Sequence, residues 1–147
     1  MSFEAKPGET TAIIGSTGSG KTALVGLIPR FYDVQEGEVL VDGVNVKDYD
    51  RRTLRKKIGY VPQKALLFKG TIMENIRFGD DSASDERVRE AAAIAQSTDF
   101  IEDKPDGFDS SIAQGGSNVS GGQRQRLAIA RAIVRKPEIY VFDDSFS

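Results

Sequence analysis

A glycine-rich segment near the start of the chain has the residue types and spacing of a phosphate-binding loop. It fits the pattern G-x-x-x-x-G-K-[ST] in full, and its residues are Gly15, Ser16, Thr17, Gly18, Ser19, Gly20, Lys21 and Thr22. The glycines let the backbone curl so that successive N–H groups face phosphate oxygens. Lys21 supplies a point charge for the β- and γ-phosphates, and the Thr22 hydroxyl is a ligand for Mg²⁺. The pattern predicts that residues 15–23, with Ala23 as the last, bind a nucleoside triphosphate.

The flanking sequence supplies the context that such a loop needs. Residues 11–14 form a short apolar run before glycine, which predicts a buried strand. Apolar residues at helical spacing follow Lys21 toward Phe31, and Pro29 is expected to end or kink that helix. The alternative is a plain glycine-rich turn before a helix. By average residue usage, the motif arises by chance in a chain of this length on the order of once in a few hundred cases.

A second candidate site lies at the end of the last apolar run. Residues 139–142 predict a strand, and Asp143 and Asp144 follow it directly. A carboxylate at the end of a strand can hold Mg²⁺, usually through a water molecule. By itself this pattern is weak, because many buried strands end in a polar residue. Together with the phosphate loop, it predicts that Asp143 belongs to the same nucleotide and metal site.

A short segment before the longest predicted helix could bind a second phosphate group. Ser120 and Gln123 have the S-x-x-Q spacing of a capping box, and the helix is predicted over residues 121–135. Ser120 and the backbone amides of Gly121 and Gly122 form a candidate anion site, because a helix N-terminus attracts negative charge. The alternative is a helix that is merely well capped, but capping requires neither of the two glycines.

These motifs together resemble those of ABC transporter ATP-binding domains, and the likeness covers nearly the whole chain. Val119 and the four residues after it are similar to the LSGGQ signature of that family, with valine in place of leucine. Gln63 matches the family's Q-loop glutamine, which implies contact with Mg²⁺ or with the attacking water. The stretches 30–33, 67–68 and 74–76 are most similar to ABC exporters.

The resemblance implies a fold, cofactors and partners. It implies one α/β domain over residues 1–147, a P-loop NTPase with a mostly parallel core sheet, a β-rich flank and an inserted helical subdomain at about residues 76–135. ATP and Mg²⁺ are the expected cofactors. Two such domains, identical or different, would pair head to tail, each phosphate loop facing residues 120–123 of the other. A transmembrane domain, near which Phe68 would lie, would hold them at the cytoplasmic face of the plasma membrane.

The amino-acid composition limits the metal ligands and catalytic groups that the chain can supply. The 147 residues include no cysteine and no histidine, which excludes disulfides, thiolate catalysis and the usual zinc ligands. Oxygen ligands remain, and these suit Mg²⁺. The net charge of -2 gives no indication of a nucleic-acid partner. No apolar run approaches the roughly 20 residues that span a bilayer, so the chain by itself is expected to be soluble.

The sequence departs from the family pattern in three places. Asp144 stands where the family usually has the glutamate that serves as general base. Ala113 and Gln114 replace a glycine–glutamate pair that is expected to contact the membrane domain. Residues 145–147 read as the start of a D-loop, and the switch histidine expected after it is absent. The chain is therefore expected to be a fragment with little ATPase activity of its own.

Several classes of function stay open at this point. The chain is either the ATP-hydrolysing motor of an exporter or an ATP-binding half whose weak site regulates a stronger partner, and Asp144 favours the second. A non-transport ABC protein acting on DNA or ribosomes is disfavoured by the exporter-like stretches 31–33 and 74–76 and by the lack of a basic tail. An unrelated P-loop kinase would not need residues 120–123.

The substitution Asp144→Glu is expected to raise ATP turnover. Aspartate is one methylene shorter than glutamate, and withdrawing a catalytic group by about an ångström can cost roughly 10²-fold in rate. Single-site phosphate release is measured in the assembled full-length transporter, with the parent protein beside the variant. An unchanged rate in the variant counts against Asp144 as a weakened general base.

Overall fold

Short helices and strands alternate along the part of the chain that the computed structural model describes, residues 1–144, so the predicted D-loop start lies outside it. Within this part the α-helices are α1 (Lys21–Gly26), α2 (Arg51–Lys56), α3 (Ile72–Arg77), α4 (Asp85–Ile94), α5 (Thr98–Glu102) and α6 (Gly121–Val134). The strands are β1 (Leu40–Val41), β2 (Val44–Asn45), β3 (Ile58–Val61), β4 (Gly70–Thr71), β5 (Ser111–Ile112) and β6 (Ile139–Phe142).

A parallel pair of strands joins the middle of the chain to its far end. β3 and β6 lie side by side, with Ile58 opposite Ile139 and Val61 opposite Phe142. The ladder continues for one more residue, because the Asp143 N–H donates to the Val61 carbonyl at 2.9 Å. The carboxyl ends of parallel strands lie at the same edge of a sheet, where ligands of α/β proteins bind. The residues that follow β3 and those that follow β6 therefore lie close together at this edge.

The other strands form antiparallel pairs. β1 and β2 make a hairpin in which Val41 lies opposite Val44. Its two turn residues, Asp42 and Gly43, have φ angles of 53° and 76°. Positive φ at both positions is what a type I′ hairpin turn requires, and Asp-Gly is one of the residue pairs that favour this turn. β4 and β5 form a second antiparallel pair.

The larger apolar core lies among α3, α4 and α6. Ile76 of α3, Val88 of α4, and Leu127 and Ala130 of α6 are fully buried there. Each helix carries its apolar residues at helical spacing, so they share one face. Complete burial of an aliphatic side chain such as valine, leucine or isoleucine contributes about 1.5–3 kcal/mol. This core fixes the position of α6, the helix that follows Ser120.

A second core fixes α1 against the parallel pair. Val25 of α1 packs with Val41, with Leu54 of α2, and with Ile58 and Val141 of the two strands. The apolar face of β3 and β6 thus covers the helix that starts directly after the glycine-rich loop. This packing places the start of α1 near the carboxyl end of β6.

Two local predictions differ from the structure. Residues 11–14 form no strand, and Ile14 is 91% exposed. A strand is held by the backbone of a neighbour, and no strand within residues 1–144 pairs with this segment. The helix predicted to run toward Phe31 ends earlier, at Gly26, and the Phe31 N–H donates to the Gly26 carbonyl at 2.9 Å. Pro29 has no N–H to donate to the Val25 carbonyl and disfavours helical geometry at Ile28, so the helix ends before this proline, as its position predicts.

Gly79→Ala is expected to destabilise the fold where the chain after α3 meets α6. A Cβ at this position would lie 2.1 Å from the Arg131 carbonyl oxygen and 3.0 Å from Val134 Cγ1. Overpacking of this kind costs about 1–3 kcal/mol or more. The free energy of unfolding is measured by urea titration of the purified chain, followed by circular dichroism.

Gly122→Ala is the matched control for this prediction. Nothing lies within 4 Å of a Cβ at Gly122, which is in the first turn of α6. Alanine in a helix is favoured over glycine by up to about 1 kcal/mol, so this variant should be as stable as the parent or more so. Equal unfolding midpoints for the two variants would contradict the close approach at Gly79.

Candidate nucleotide-binding site

Residues 15–20 curl into a narrow, exposed loop in front of α1. Gly18 and Gly20 have φ angles of 80° and 94°, a left-handed conformation that glycine adopts without steric cost. The Ser19 N–H donates to the Ser16 carbonyl at 3.0 Å and closes a turn. A Cβ at Gly15 would lie only 2.5 Å from Ser19 Oγ, so a side chain there would displace the Ser19 hydroxyl. Such a curled backbone fits a phosphate group.

The Lys21 side chain folds back over this loop. Its ammonium group donates to the carbonyl of Gly15 and, at 3.2 Å, to the carbonyl of Ser16. The positive charge therefore lies against the loop. A phosphate oxygen would compete with these neutral carbonyls for the ammonium group, and the charge-assisted bond is the stronger one.

The Thr22 hydroxyl meets the Asp143 carboxylate, 121 residues further along the chain. Thr22 Oγ1 donates to Asp143 Oδ1 at 3.1 Å. Asp143 is buried, with 6% of its surface exposed. Hydroxyl and carboxylate oxygens are the kinds of ligand that Mg²⁺ prefers. This pair of oxygens therefore suits Mg²⁺, which neutralises phosphate charge when it is bound.

Tyr60 on β3 contacts the other oxygen of the same carboxylate. Its hydroxyl donates to Asp143 Oδ2 at 3.2 Å. Burial raises the pKa of Tyr60 to about 12, and the negative charge and hydrogen bond of Asp143 act in the same direction. The phenol therefore stays protonated, and remains a donor, at neutral pH. Its ring also meets the edge of Phe31, with centroids 5.0 Å apart.

The segment 120–123, hereafter the signature segment, caps α6 as its spacing predicts. The Gln123 N–H donates to Ser120 Oγ at 3.1 Å, and the Ser120 N–H donates to Gln123 Oε1 at 3.1 Å. Ser120, Gly121 and Gly122 are exposed. Among residues 1–144, no hydrogen bond joins this segment to residues 15–22. The structure does not bring these two predicted phosphate contacts together within one chain.

The two other predicted catalytic residues lie at the edge where β3 and β6 end. Gln63 is exposed and follows β3 by two residues. Asp144 is exposed as well and has a φ angle of 51°. The left-handed conformation is tolerated by aspartate better than by most residues. Their assignment to metal contact and to water activation remains a prediction.

A half-buried arginine, Arg131, supports an exposed patch of apolar side chains. Leu66, Phe68 and Phe78 are exposed and are named here the aromatic surface. The Arg131 guanidinium donates to the Leu66 carbonyl at 2.6 Å and to the carbonyl and side-chain oxygens of Asn75 at 2.9 and 3.2 Å. It also lies 4.9 Å from the Phe68 ring centroid and 5.6 Å from that of Phe78.

Neither Tyr60 nor Arg131 was predicted from the sequence as part of a site. Alternation along β3 was the available signal for Tyr60, because it lies on the same face as Ile58 and faces the core. For Arg131, the signal was its position one turn after the buried Leu127. Burial lowers the pKa of Arg131 to about 10, so it remains a cation at neutral pH.

Comparison with known proteins defines the family. The ABC transporter family model matches residues 1–147. An uncharacterized ABC transporter ATP-binding protein of Mycobacterium tuberculosis is 53% identical over 150 residues, which cover 100% of this chain and 25% of that protein. The ATP-dependent lipid A-core flippase of Desulfotalea psychrophila is 44% identical over 147 residues, covering 100% of this chain and 26% of that protein. The chain spans about a quarter of the length of these curated relatives.

A solved structure shows the same fold. A bacterial Atm1-family ABC exporter with ATP bound matches this structure with a TM-score of 0.85 at 42% identity, over 88% of this chain and 23% of that chain. The chain therefore belongs to the ABC transporter family, as an ATP-binding domain of the exporter type. The predicted α/β fold of a P-loop NTPase is confirmed. No helix within residues 1–144 is both long and apolar enough to cross a bilayer.

Lys21→Met is expected to weaken ATP binding about tenfold, both with and without Mg²⁺. A hydrogen bond to a charged group contributes about 1.5–3 kcal/mol, and the lower figure corresponds to about tenfold. The lower figure applies because the free lysine already bonds to two carbonyls. Binding of a fluorescent ATP analogue to the full-length protein measures the effect. Lys56→Met, at an exposed lysine of α2, is the control and should bind like the parent; equal affinities in both variants would contradict the role of Lys21.

Proposed function

We propose that this domain binds and hydrolyses Mg-ATP to drive an ABC exporter. The observation that carries the proposal is the contact between the Thr22 hydroxyl and the Asp143 carboxylate at 3.1 Å. It joins the end of the phosphate loop to the end of β6, and both groups suit Mg²⁺. The Lys21 ammonium lies on the same loop and is available to phosphate oxygens.

The exposure of both phosphate-binding segments supports pairing of two domains. Residues 15–20 are exposed, and so are Ser120, Gly121 and Gly122 of the signature segment. An open phosphate loop leaves bound ATP accessible to water and to a second protein surface. The capped N-terminus of α6, which has 14 residues, offers backbone N–H groups to an anion. In the proposed head-to-tail pair, Ser120, Gly121 and Gly122 of one domain cover the triphosphate held by the other.

The hydrolytic step is assigned to residues at the shared edge of β3 and β6. Gln63 contacts Mg²⁺ or the attacking water, and Asp144 orients that water and accepts its proton. A general base contributes about 10²–10⁴-fold to such a rate. The shorter side chain of Asp144 supports a second candidate function, in which this domain retains ATP and regulates a more active partner domain.

The aromatic surface supports contact with a membrane domain. Phe68 and Phe78 pack together with ring centroids 4.6 Å apart, and the Arg131 guanidinium contacts both rings. Aromatic side chains that are exposed and already immobilised favour a protein interface, because little side-chain entropy is lost on binding. We assign this surface to the transmembrane domain of the exporter, which would hold the pair at the cytoplasmic face of the membrane.

Disulfide cross-linking tests the head-to-tail pair. Residues 1–147 contain no cysteine, so Ser16→Cys and Gly122→Cys are introduced into the full-length protein after any cysteine outside this domain has been replaced by serine. With Mg-ATP, mild oxidation is expected to join the phosphate loop of one domain to the signature segment of another, and mass spectrometry identifies the linked peptides. With ADP the cross-link should be lost.

A matched pair of cysteines makes the result specific. Ser16→Cys combined with Asp106→Cys, at an exposed turn after α5, should give no ATP-dependent cross-link. If the Ser16 and Gly122 pair fails to cross-link with ATP, or cross-links equally with ADP, the head-to-tail arrangement is wrong. Phosphate release by the same full-length protein tests hydrolysis separately.

A further inference from the structure

We propose that Tyr60 is a positioning residue that orients the Asp143 carboxylate for Mg²⁺. This inference rests on the proposed function, because it concerns the same Mg-ATP site. Asp143 Oδ1 accepts from Thr22 at 3.1 Å, and Oδ2 accepts from Tyr60 at 3.2 Å. The two donors come from α1 and β3, on different elements from the carboxylate. With both oxygens held, the plane of the carboxylate is defined.

The parallel register places Tyr60 within reach of this carboxylate. Tyr60 lies opposite Val141, and Asp143 follows two residues later on the same face of the sheet. A tyrosine side chain is long enough to reach this diagonal neighbour on the adjacent strand, and the Tyr60 hydroxyl lies 3.2 Å from Asp143 Oδ2. The Asp143 N–H bond to the Val61 carbonyl fixes the backbone at this point.

The tyrosine ring is itself held in place. Its edge-to-face partner is Phe31, with ring planes at 77°. The Arg55 guanidinium lies 5.4 Å from the centroid of the Phe31 ring, and it also donates to the Pro29 carbonyl at 3.3 Å. The Tyr60 hydroxyl is therefore a donor with a fixed position and not one that moves freely with the carboxylate.

Loss of this donor should weaken metal binding while leaving the phosphate loop unchanged. Without the Tyr60 hydroxyl, Asp143 retains the Thr22 bond to Oδ1 but loses the donor that faces Oδ2. Residues that orient a metal ligand typically change metal affinity by about 10–100-fold when substituted. We expect a change in Mg²⁺ affinity at the lower end of this range, about tenfold, because Thr22 still donates to Asp143 Oδ1.

Tyr60→Phe in the full-length protein tests the inference, because phenylalanine keeps the ring and removes only the hydroxyl. Binding of a fluorescent ATP analogue is titrated with free Mg²⁺, and a second titration is made in EDTA. The variant is expected to need about tenfold more Mg²⁺ for half of the Mg²⁺-dependent binding, with an unchanged Kd in EDTA. Tyr49→Phe is the matched control, since the Tyr49 hydroxyl donates to the Val41 carbonyl at 2.8 Å; its Mg²⁺ requirement should equal that of the parent.

The possible results separate this inference from the function on which it rests. A Mg²⁺ requirement of Tyr60→Phe within about twofold of the parent overturns the positioning role and leaves the proposed function intact. Equal losses with Mg²⁺ and in EDTA also overturn it, because they indicate damage to the whole site. If the parent protein itself shows no Mg²⁺-dependent binding of the ATP analogue, the proposed function falls and the inference falls with it.

Discussion

The arrangement of this domain depends on the contact between Thr22 and Asp143. The two residues belong to elements at opposite ends of the described chain, and their contact requires both the β3–β6 register and the core that holds α1 against these strands. A slip of one residue in that register would turn Asp143 to the other face of the sheet. The apolar residues that share its face, Ile139 and Val141, would turn outward as well. The burial of the apolar residues and the contact between Thr22 and Asp143 therefore require the same register of β3 against β6.

Features that depend on neighbours in the sequence could be predicted from the sequence. The Asp42-Gly43 turn, the cap formed by Ser120 and Gln123, and the end of the helix ahead of Pro29 each follow from chemistry within a few residues. Residues 11–14 show the limit of such reasoning. Their composition favours a strand, but a strand also needs a partner, and the described residues provide none there.

The contacts of Tyr60 and Arg131 could not be predicted, because each joins residues that are far apart in the sequence. Tyr60 and Asp143 are separated by 83 positions, and Arg131 reaches back 56 positions to Asn75. The type and spacing of such residues carry no information on their partners. A tyrosine in a strand is usually interpreted as a core residue, and an arginine in a helix is usually interpreted as a surface residue. Here each fills a position that only the packed strands and helices define.

The self-contacts of Lys21 have a consequence for nucleotide exchange. The free loop is already curled, and its cation is already bonded to Gly15 and Ser16. Little ordering entropy is then lost when a phosphate enters, and the departing phosphate is replaced at once by the loop's own carbonyls. Preorganisation favours rapid entry, while this substitution of one acceptor by another lowers the barrier to departure. Under the proposed function the domain releases its spent nucleotide in every cycle, and a loop that already has its own acceptors for Lys21 favours that release.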